Sequence, residues 1–253
     1  MEFHKTVAAC AAHRPQLGLY CGNAMAKIDP SSVGWVAAKV ESALNKAYAT
    51  IRVEPDEYLA HLRAAHGLPV RTYDGMFTVP VEDLDAIAQQ SIRASMKMAA
   101  TGGAGFGLGG LLTVVPDVSV LSAITMRTIQ KLSLIYGFQF NTDEEVAELW
   151  VAAASAAGVD ISRELLEKTV ITKFVQAVIR RIAAQVSAEM AEKMVARAVP
   201  IASSAVGAII NYYFVRAWGR RAVKYFREKH LAERQMRAKH LPIALPPAPE
   251  GIS

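Results

Sequence analysis

Residues 98–116 read MAATGGAGFGLGGLLTVVP, nineteen positions without a charged side chain. Six of these positions are glycines, and a glycine in an exposed helix interior costs about 1 kcal/mol relative to alanine. Such a segment becomes helical only where close packing or a bilayer holds it, so it constrains how the rest of the chain is arranged. Small residues recur four positions apart in it, a spacing that lets helix backbones approach closely. We therefore predict helix contacts at Gly103, Gly105, Gly107 and Gly109.

A second uncharged stretch covers residues 198–215, AVPIASSAVGAIINYYFV, and repeats this spacing at Ser203 and Gly207. Both stretches approach the ~20 apolar residues that a membrane-spanning helix needs. Two interpretations remain open. Either the stretches insert into a membrane as helices, or they are buried core helices of a soluble all-α domain that pack against each other. In the membrane interpretation, an aromatic belt at one interface would be formed by Tyr212, Tyr213 and Trp218.

Three polar residues accompany these apolar segments, and a buried polar or charged group needs a partner. Asp117 follows the first stretch, Asn211 lies in the second, and Asp85 begins the helical pattern that leads into the first. We expect these side chains to be buried polar groups, with a bond between two of them as one arrangement. For Asp117, a place at a helix N-terminus next to Pro116 is the simpler explanation.

The remaining segments carry helical periodicity and helix-boundary signals. Pro55 stands at a first-turn position, Thr142 and Glu145 form a capping box, and Gly137 is placed to end a helix. No run of alternating apolar and polar residues indicates a strand. The fold prediction is therefore an all-α, multi-helix bundle in which the two apolar segments pack together.

Composition divides the chain into three parts. With 253 residues, 52% of them hydrophobic and 20% charged, it is too apolar for a disordered chain and too charged for a polytopic membrane protein. We predict an irregular N-terminal arm at residues 1–30 and a single helical domain at 31–239. Proline-rich residues 240–253 are expected to form a disordered tail.

Positive charge is concentrated near the C-terminus. The net charge is +5, and residues 216–239 contain nine basic residues against two acidic ones. Three explanations compete: binding to anionic lipid, binding to nucleic acid, and a solvated helix face. Lipid is favoured because the basic run directly follows an uncharged stretch, and no nucleic-acid partner is predicted. The residues that we expect at a lipid surface are Arg216, Arg220, Arg221, Lys224 and Arg227.

No motif in the sequence indicates reaction chemistry. The run from Gly105 to Gly110 matches GxGxxG, but a dinucleotide-binding fingerprint needs a preceding strand, and a helical pattern precedes it here. The six histidines are scattered and the two cysteines lack a CxxC spacing, so we predict no metal and no cofactor. No catalytic residue is identified, and we do not expect an enzyme.

Four stretches taken together carry a family resemblance. They are PVEDLD at 80–85, GGAGFGLGGLLTVVPDVSVL at 102–121, the Tyr136-Gly137 pair, and GAIINYYFVRAWGRRAVKYFRE at 207–228. Over about residues 77–230, this combination resembles the EcsC family of bacterial proteins. The glycine, Pro-Asp and Tyr-Gly layout is also similar to the helical domain of some bacterial membrane GTPases.

The EcsC resemblance implies a role near the membrane without an established catalytic residue set. We therefore expect a membrane-associated, non-enzymatic accessory protein, in the bacterial cytoplasm or on the cytoplasmic face of the inner membrane. Its expected partner is membrane lipid or a membrane protein such as an ABC transporter, and the oligomeric state is left open. Two alternatives remain: a soluble helical domain that binds an apolar ligand in its core, and a hydrolase that uses Asp85 or Asp117.

Overall fold

The computed structural model of the chain describes residues 30–106, 114–161, 170–196 and 204–240, with side chains described at 34–101, 119–161, 170–188 and 211–239. Within these ranges the secondary structure is helical and no strand occurs, which confirms the prediction of an all-α, multi-helix bundle. The helices are α1 Pro30–Thr50, α2 Pro55–His66, α3 Val81–Phe106, α4 Val114–Ile135, α5 Asp143–Ala157, α6 Ile171–Ala196 and α7 Ser204–His240, with a short 3-10 helix at Asp74–Thr78.

Local signals set several helix boundaries where the sequence predicts them. At the start of α5, the Glu145 amide donates to Thr142 Oγ1, and the Thr142 amide donates to Glu145 Oε2 at 3.0 Å, so the capping box is formed. α2 begins at Pro55, as predicted. After α4, Gly137 adopts φ +90, a backbone conformation that favours glycine. A Cβ there would also lie 3.0 Å from the Phe77 ring, so the lack of space requires glycine as well.

The core is formed by large side chains drawn from nearly every helix. The Trp150 ring in α5 meets Tyr48 of α1 edge-on at 5.3 Å between ring centroids. An aromatic edge-to-face pair adds about 1 kcal/mol beyond the apolar area that it buries. The largest fully buried side chains include Trp150, Tyr136, Phe174, Leu62, Met76, Leu84 and Ile92.

α3 and α7 form the most extensive helix pair of the bundle. Asp85 of α3 contacts Arg227 of α7, and Ile92 lies against Gly219, so the two helices run antiparallel. A Cβ added at Gly219 would lie 2.9 Å from Ile92 Cγ1, well inside the 3.5–4.0 Å at which carbon atoms pack. A close helix contact that depends on glycine therefore exists at Gly219, a position that the sequence analysis did not single out.

The glycines chosen from the sequence are only partly described. Gly103 and Gly105 lie in the last turns of α3, and Gly207 lies in the first turn of α7. Gly107 and Gly109 fall outside the described residues. The predicted packing of the two glycine-rich segments against each other likewise lies outside what the structure describes and stays a prediction.

Candidate functional site

One end of the bundle is held together by a partly exposed carboxylate. Tyr136, directly after α4, donates its hydroxyl hydrogen to Asp85 Oδ1 at 2.5 Å. Arg227 of α7 donates from Nε to Asp85 Oδ2 at 2.8 Å. Both carboxylate oxygens are thus engaged, and the Asp85 side chain joins α3, α7 and the end of α4. We call this end of the bundle the ion-pair end.

A buried histidine supports the same junction. His230 is fully buried, its Nδ1 lies 2.9 Å from the Tyr136 carbonyl oxygen, and its ring stacks on Phe77 at 4.9 Å between centroids. Burial lowers the pKa of His230 and outweighs the opposing effect of the backbone hydrogen bond. The neutral ring with its proton on Nδ1 satisfies this geometry, because Nε2 is buried without a hydrogen-bond partner in the described part of the chain.

Further cations in the second half of α7 are engaged within the protein. Arg237 forms ion pairs with Asp74 at 2.5 Å and with Glu233 at 2.8 Å. Lys229 pairs with Glu148 of α5. The basic run at residues 216–239 is therefore not uniformly available to an external partner, because its C-terminal half supplies charges to the ion-pair end.

Four helices converge at the end opposite the Asp85 cluster. One small cavity is lined by Val40 of α1, Leu121 of α4, Val186 of α6 and Phe214 of α7. These four positions therefore lie at the same level along the long axis of the bundle. α1, α4 and α7 run away from this level toward the ion-pair end. The first turns of these three helices therefore lie at or beyond this level.

Exposed large hydrophobic side chains concentrate at this end, which we call the apolar end. Unlike α1, α4 and α7, α3 runs toward the apolar end. Thr128 of α4 hydrogen-bonds to Ser95 of α3 at 2.8 Å, and Met98 lies about one turn further along α3 in that direction. Six large hydrophobic side chains are exposed among the described residues. The four at the apolar end are Trp35 (46% exposed), Met98 (52%), Val120 (36%) and Tyr213 (57%).

A stripe of cations adjoins the apolar end along one face of α7. Tyr213, Arg216, Arg220 and Lys224 are spaced three or four residues apart, so they share a face of the helix. Tyr213, Arg220 and Lys224 are exposed and Arg216 is partly exposed. Residues 204–227 contain no aspartate or glutamate, and the first acid of α7 is Glu228, one turn beyond Lys224. We call Arg216, Arg220 and Lys224 the basic stripe.

The five cations predicted at a lipid surface separate into two groups. Arg216, Arg220 and Lys224 form the basic stripe, and Lys224 has only a solvent-exposed pair with Glu228 at 3.9 Å. Arg227 is bound to Asp85. Arg221 turns toward the C-terminal end of α5, where Nη1 lies next to Gly158. Only the stripe faces outward as a group.

The other predicted residues are placed individually. Asn211 is buried, with 4% of its surface exposed, near the apolar end. Asp117 lies in the first turn of α4, but its side chain is outside the described residues, so a bond between the two stays a prediction. The predicted aromatic belt is wrong at Trp218, which is 3% exposed and packs in the core. Trp218 was grouped with Tyr213 because both lie at the edge of the uncharged stretch, but five residues rotate a helix by about 140°, so Trp218 lies on the buried face of α7.

A membrane-spanning helix and a cluster of metal ligands are both absent from the described residues. No described helix combines the length and the apolar content needed to cross a membrane. No three histidine, cysteine, aspartate or glutamate side chains in the described ranges come together as metal ligands would.

Sequence reasoning missed two residues that organise the structure. His230 stood in the basic run and had no sequence signal, since its role depends on Phe77 and Tyr136, which lie far away in the chain. Gly219 carried a signal, as a lone glycine within a strong helical pattern, which often marks close packing. Its neighbour Ile92 lies on a helix distant in sequence.

The architecture defines a class of protein: an all-α bundle built around a long C-terminal helix, with an ion-pair end and an apolar end. The chain belongs to the EcsC protein family, whose model matches residues 23–231. The match includes α1 and α2 and so extends further toward the N-terminus than the resemblance at residues 77–230. No curated protein and no solved structure matches the chain.

Proposed function

We propose that this EcsC-family protein is a membrane-associated, non-enzymatic accessory protein that places its apolar end on an anionic bilayer surface. The observation that carries the proposal is that exposed Tyr213 continues the basic stripe on one face of α7, in the half of the bundle that also exposes Trp35, Met98 and Val120. Apolar side chains that are exposed singly need no explanation, whereas a group beside a basic face is typical of an interaction surface. The described parts of the two uncharged stretches, residues 98–106, 114–116 and 204–215, belong to the helix ends on this same side.

Two modest contributions would act together at the bilayer. Each lysine or arginine near an anionic leaflet contributes about 1 kcal/mol, so the basic stripe contributes about 3 kcal/mol. The two aromatic rings and Met98 add burial of apolar surface at about 25 cal/mol per Å². Stable attachment generally requires two signals of this kind, because one alone gives weak and reversible binding. The arrangement therefore favours a peripheral protein whose attachment depends on salt and on lipid charge.

A membrane protein is the second partner that we propose for the same end. Support comes from the family resemblance, which implies an ABC transporter as partner, and from the apolar side chains, which suit a protein surface as well as lipid. The hydrolase alternative gains no support at Asp85. Its two oxygens accept hydrogen bonds from Tyr136 and Arg227, which is the arrangement of a structural ion pair.

Co-sedimentation with vesicles tests the lipid proposal. The full chain should bind vesicles that contain phosphatidylglycerol more strongly than vesicles of phosphatidylcholine alone, and binding should weaken as salt is raised. Replacing Tyr213 by serine or Arg220 by glutamine should reduce binding. Met236→Ser and Lys239→Gln are matched controls, since both residues are exposed on α7 beyond Arg227.

The lipid proposal fails under two outcomes of this experiment. The first is the absence of binding to either kind of vesicle by a folded protein. The second is an equal loss of binding in the Tyr213 or Arg220 variants and in their controls, which would place the contact elsewhere or make it non-specific. Circular dichroism of each variant separates a loss of contact from a loss of fold.

A further inference from the structure

A surface cleft of about 580 Å³ lies between α2, α3 and α4, and Met98 at its edge also belongs to the apolar end. Its volume is within the range of small-molecule sites. The wall from α3 follows one helix face, with side chains three or four residues apart from Ile87 to Met98. The cleft has access to solvent, so a ligand could enter without any movement of the core.

The two permanently charged side chains that line the cleft are both cationic. Arg127 and Lys131 come from α4, His61 and His66 come from α2, and no aspartate or glutamate is among the lining residues. No carboxylate in the described part of the chain lies within 4 Å of the Arg127 or Lys131 nitrogens. Charged side chains on protein surfaces normally interleave both signs, so a concave site with two permanent cations and no acid is complementary to an anion.

Lys131 is the less exposed of the two cations in the cleft. Burial and the charge of Arg127 both lower the pKa of Lys131, so the ammonium lacks compensation in the free protein. Its nitrogen lies 5.5 Å from the centre of the Tyr58 ring. Burial also raises the pKa of Tyr58 to about 12, against a hydrogen bond with Ser91 that lowers it, so the phenol stays protonated. Ammonium, guanidinium and hydroxyl donors thus approach one region from three helices.

The other part of the cleft is apolar and points toward the apolar end. Met98 and Ile124 line it, and Met98 is half exposed. Ile124 is seven residues from Lys131 on α4, so about 10 Å separates the apolar part from the cationic part along the helix axis. An anion with an attached hydrocarbon chain matches this polarity, whereas a free inorganic anion would use only the cationic part.

We propose that the cleft between α2, α3 and α4 binds an anionic amphiphile, with a phosphate group at Lys131 and Arg127 and the hydrocarbon chain along Met98 and Ile124. Phosphate suits several donors from different directions, because each oxygen accepts hydrogen bonds and Arg127 can bind two of them. The site differs from the apolar-ligand alternative of the sequence analysis, because it opens on the surface and recognises charge. It shares Met98 with the proposed membrane docking but uses none of the residues of the basic stripe.

Titration of the full chain with lysophosphatidate below its aggregation concentration tests this proposal. Calorimetry should give saturable binding to one site. Lys131→Gln should weaken binding about 10- to 100-fold, the loss expected when one charge-assisted hydrogen bond is removed. Lys173→Gln, an exposed lysine on α6, is the matched control and should leave binding unchanged. Inorganic phosphate should compete, and lysophosphatidylcholine should bind more weakly, because its headgroup carries no net charge.

A second variant keeps the outcome clear if Lys131→Gln does not fold. Ala94 lines the cleft and is exposed, so Ala94→Phe should block the cleft without removing a charge. The proposal is overturned if lysophosphatidate does not bind, or if Lys131→Gln and Lys173→Gln lose binding equally. Phosphate that binds as tightly as lysophosphatidate would overturn the amphiphile assignment. Vesicle binding that persists in Lys131→Gln leaves the docking proposal intact, so the two proposals fail separately.

Discussion

Replacing Gly219 by alanine perturbs the closest approach of α3 and α7. The new Cβ would lie 2.9 to 3.1 Å from three side-chain carbons of Ile92, which is itself 2% exposed. Because the core is close-packed, the Ile92 side chain cannot move away without displacing its neighbours. Overpacking of this kind costs about 1–3 kcal/mol. Alanine offsets part of that cost, since it favours a helix by about 1 kcal/mol over glycine.

A double-mutant cycle isolates the steric part of this balance. In an Ile92→Ala background the contacting atoms are gone, so Gly219→Ala should become stabilising by about 1 kcal/mol. In the wild-type background the same substitution should be neutral or destabilising by up to about 2 kcal/mol. The coupling free energy between the two positions is therefore expected to be about 1–3 kcal/mol, as for residues in direct contact.

Urea unfolding measures all four members of the cycle, provided that the slope m stays the same. Gly34→Ala on α1 is the matched control, because a Cβ there would meet nothing within 4 Å. It should stabilise the protein by about 1 kcal/mol in either background. Equal effects of Gly219→Ala with Ile92 present and absent would refute the close approach of the two helices.

Three further outcomes follow from single side chains. The pKa of His230 is lowered in the folded state, so the unfolded state binds more protons near neutral pH. The free energy of unfolding should therefore fall as the pH drops through about 6.5. Urea titrations at several pH values should give a slope of up to about 1.4 kcal/mol per pH unit, and the slope should be smaller in His230→Gln. Tyr136→Phe removes a hydrogen bond to the Asp85 carboxylate and should cost about 1.5–3 kcal/mol in urea unfolding, whereas Tyr213→Phe should cost almost nothing. Thr142→Ala removes a helix cap and should lower the free energy of unfolding by about 1 kcal/mol; no change would contradict the capping box.

Short-range features of the fold could be predicted because their causes are neighbours in the chain. The capping box at Thr142 and Glu145 satisfies backbone amides within one turn, so its sequence pattern suffices. The glycine after α4 is similar, since a left-handed residue at a helix end is a local requirement. The helical class followed from such signals and from periodicity summed over many residues.

The candidate site was predicted only in part, because its chemistry depends on distant residues. Asp85 and Arg227 were both singled out, but for different roles, and their ion pair joins positions 142 residues apart. The aromatic belt failed at Trp218 because nearness in the chain does not give a shared helix face, and the face of α7 that carries Trp218 packs in the core. The cleft between α2, α3 and α4 had no sequence signal, since its lining comes from three separate helices.

The amino-acid sequence by itself determined the helical class, the boundaries set by caps and glycines, and the uneven distribution of charge and apolar residues. Each of these depends on interactions within a few turns of the chain. Only the tertiary structure decided which cations of residues 216–239 are used internally and which face outward. It also decided that Gly219 marks the close helix contact and that most of the exposed large apolar side chains lie in one half of the bundle. The physical reason is that burial and ion pairing depend on which helix faces meet, and those faces come from segments far apart in the chain.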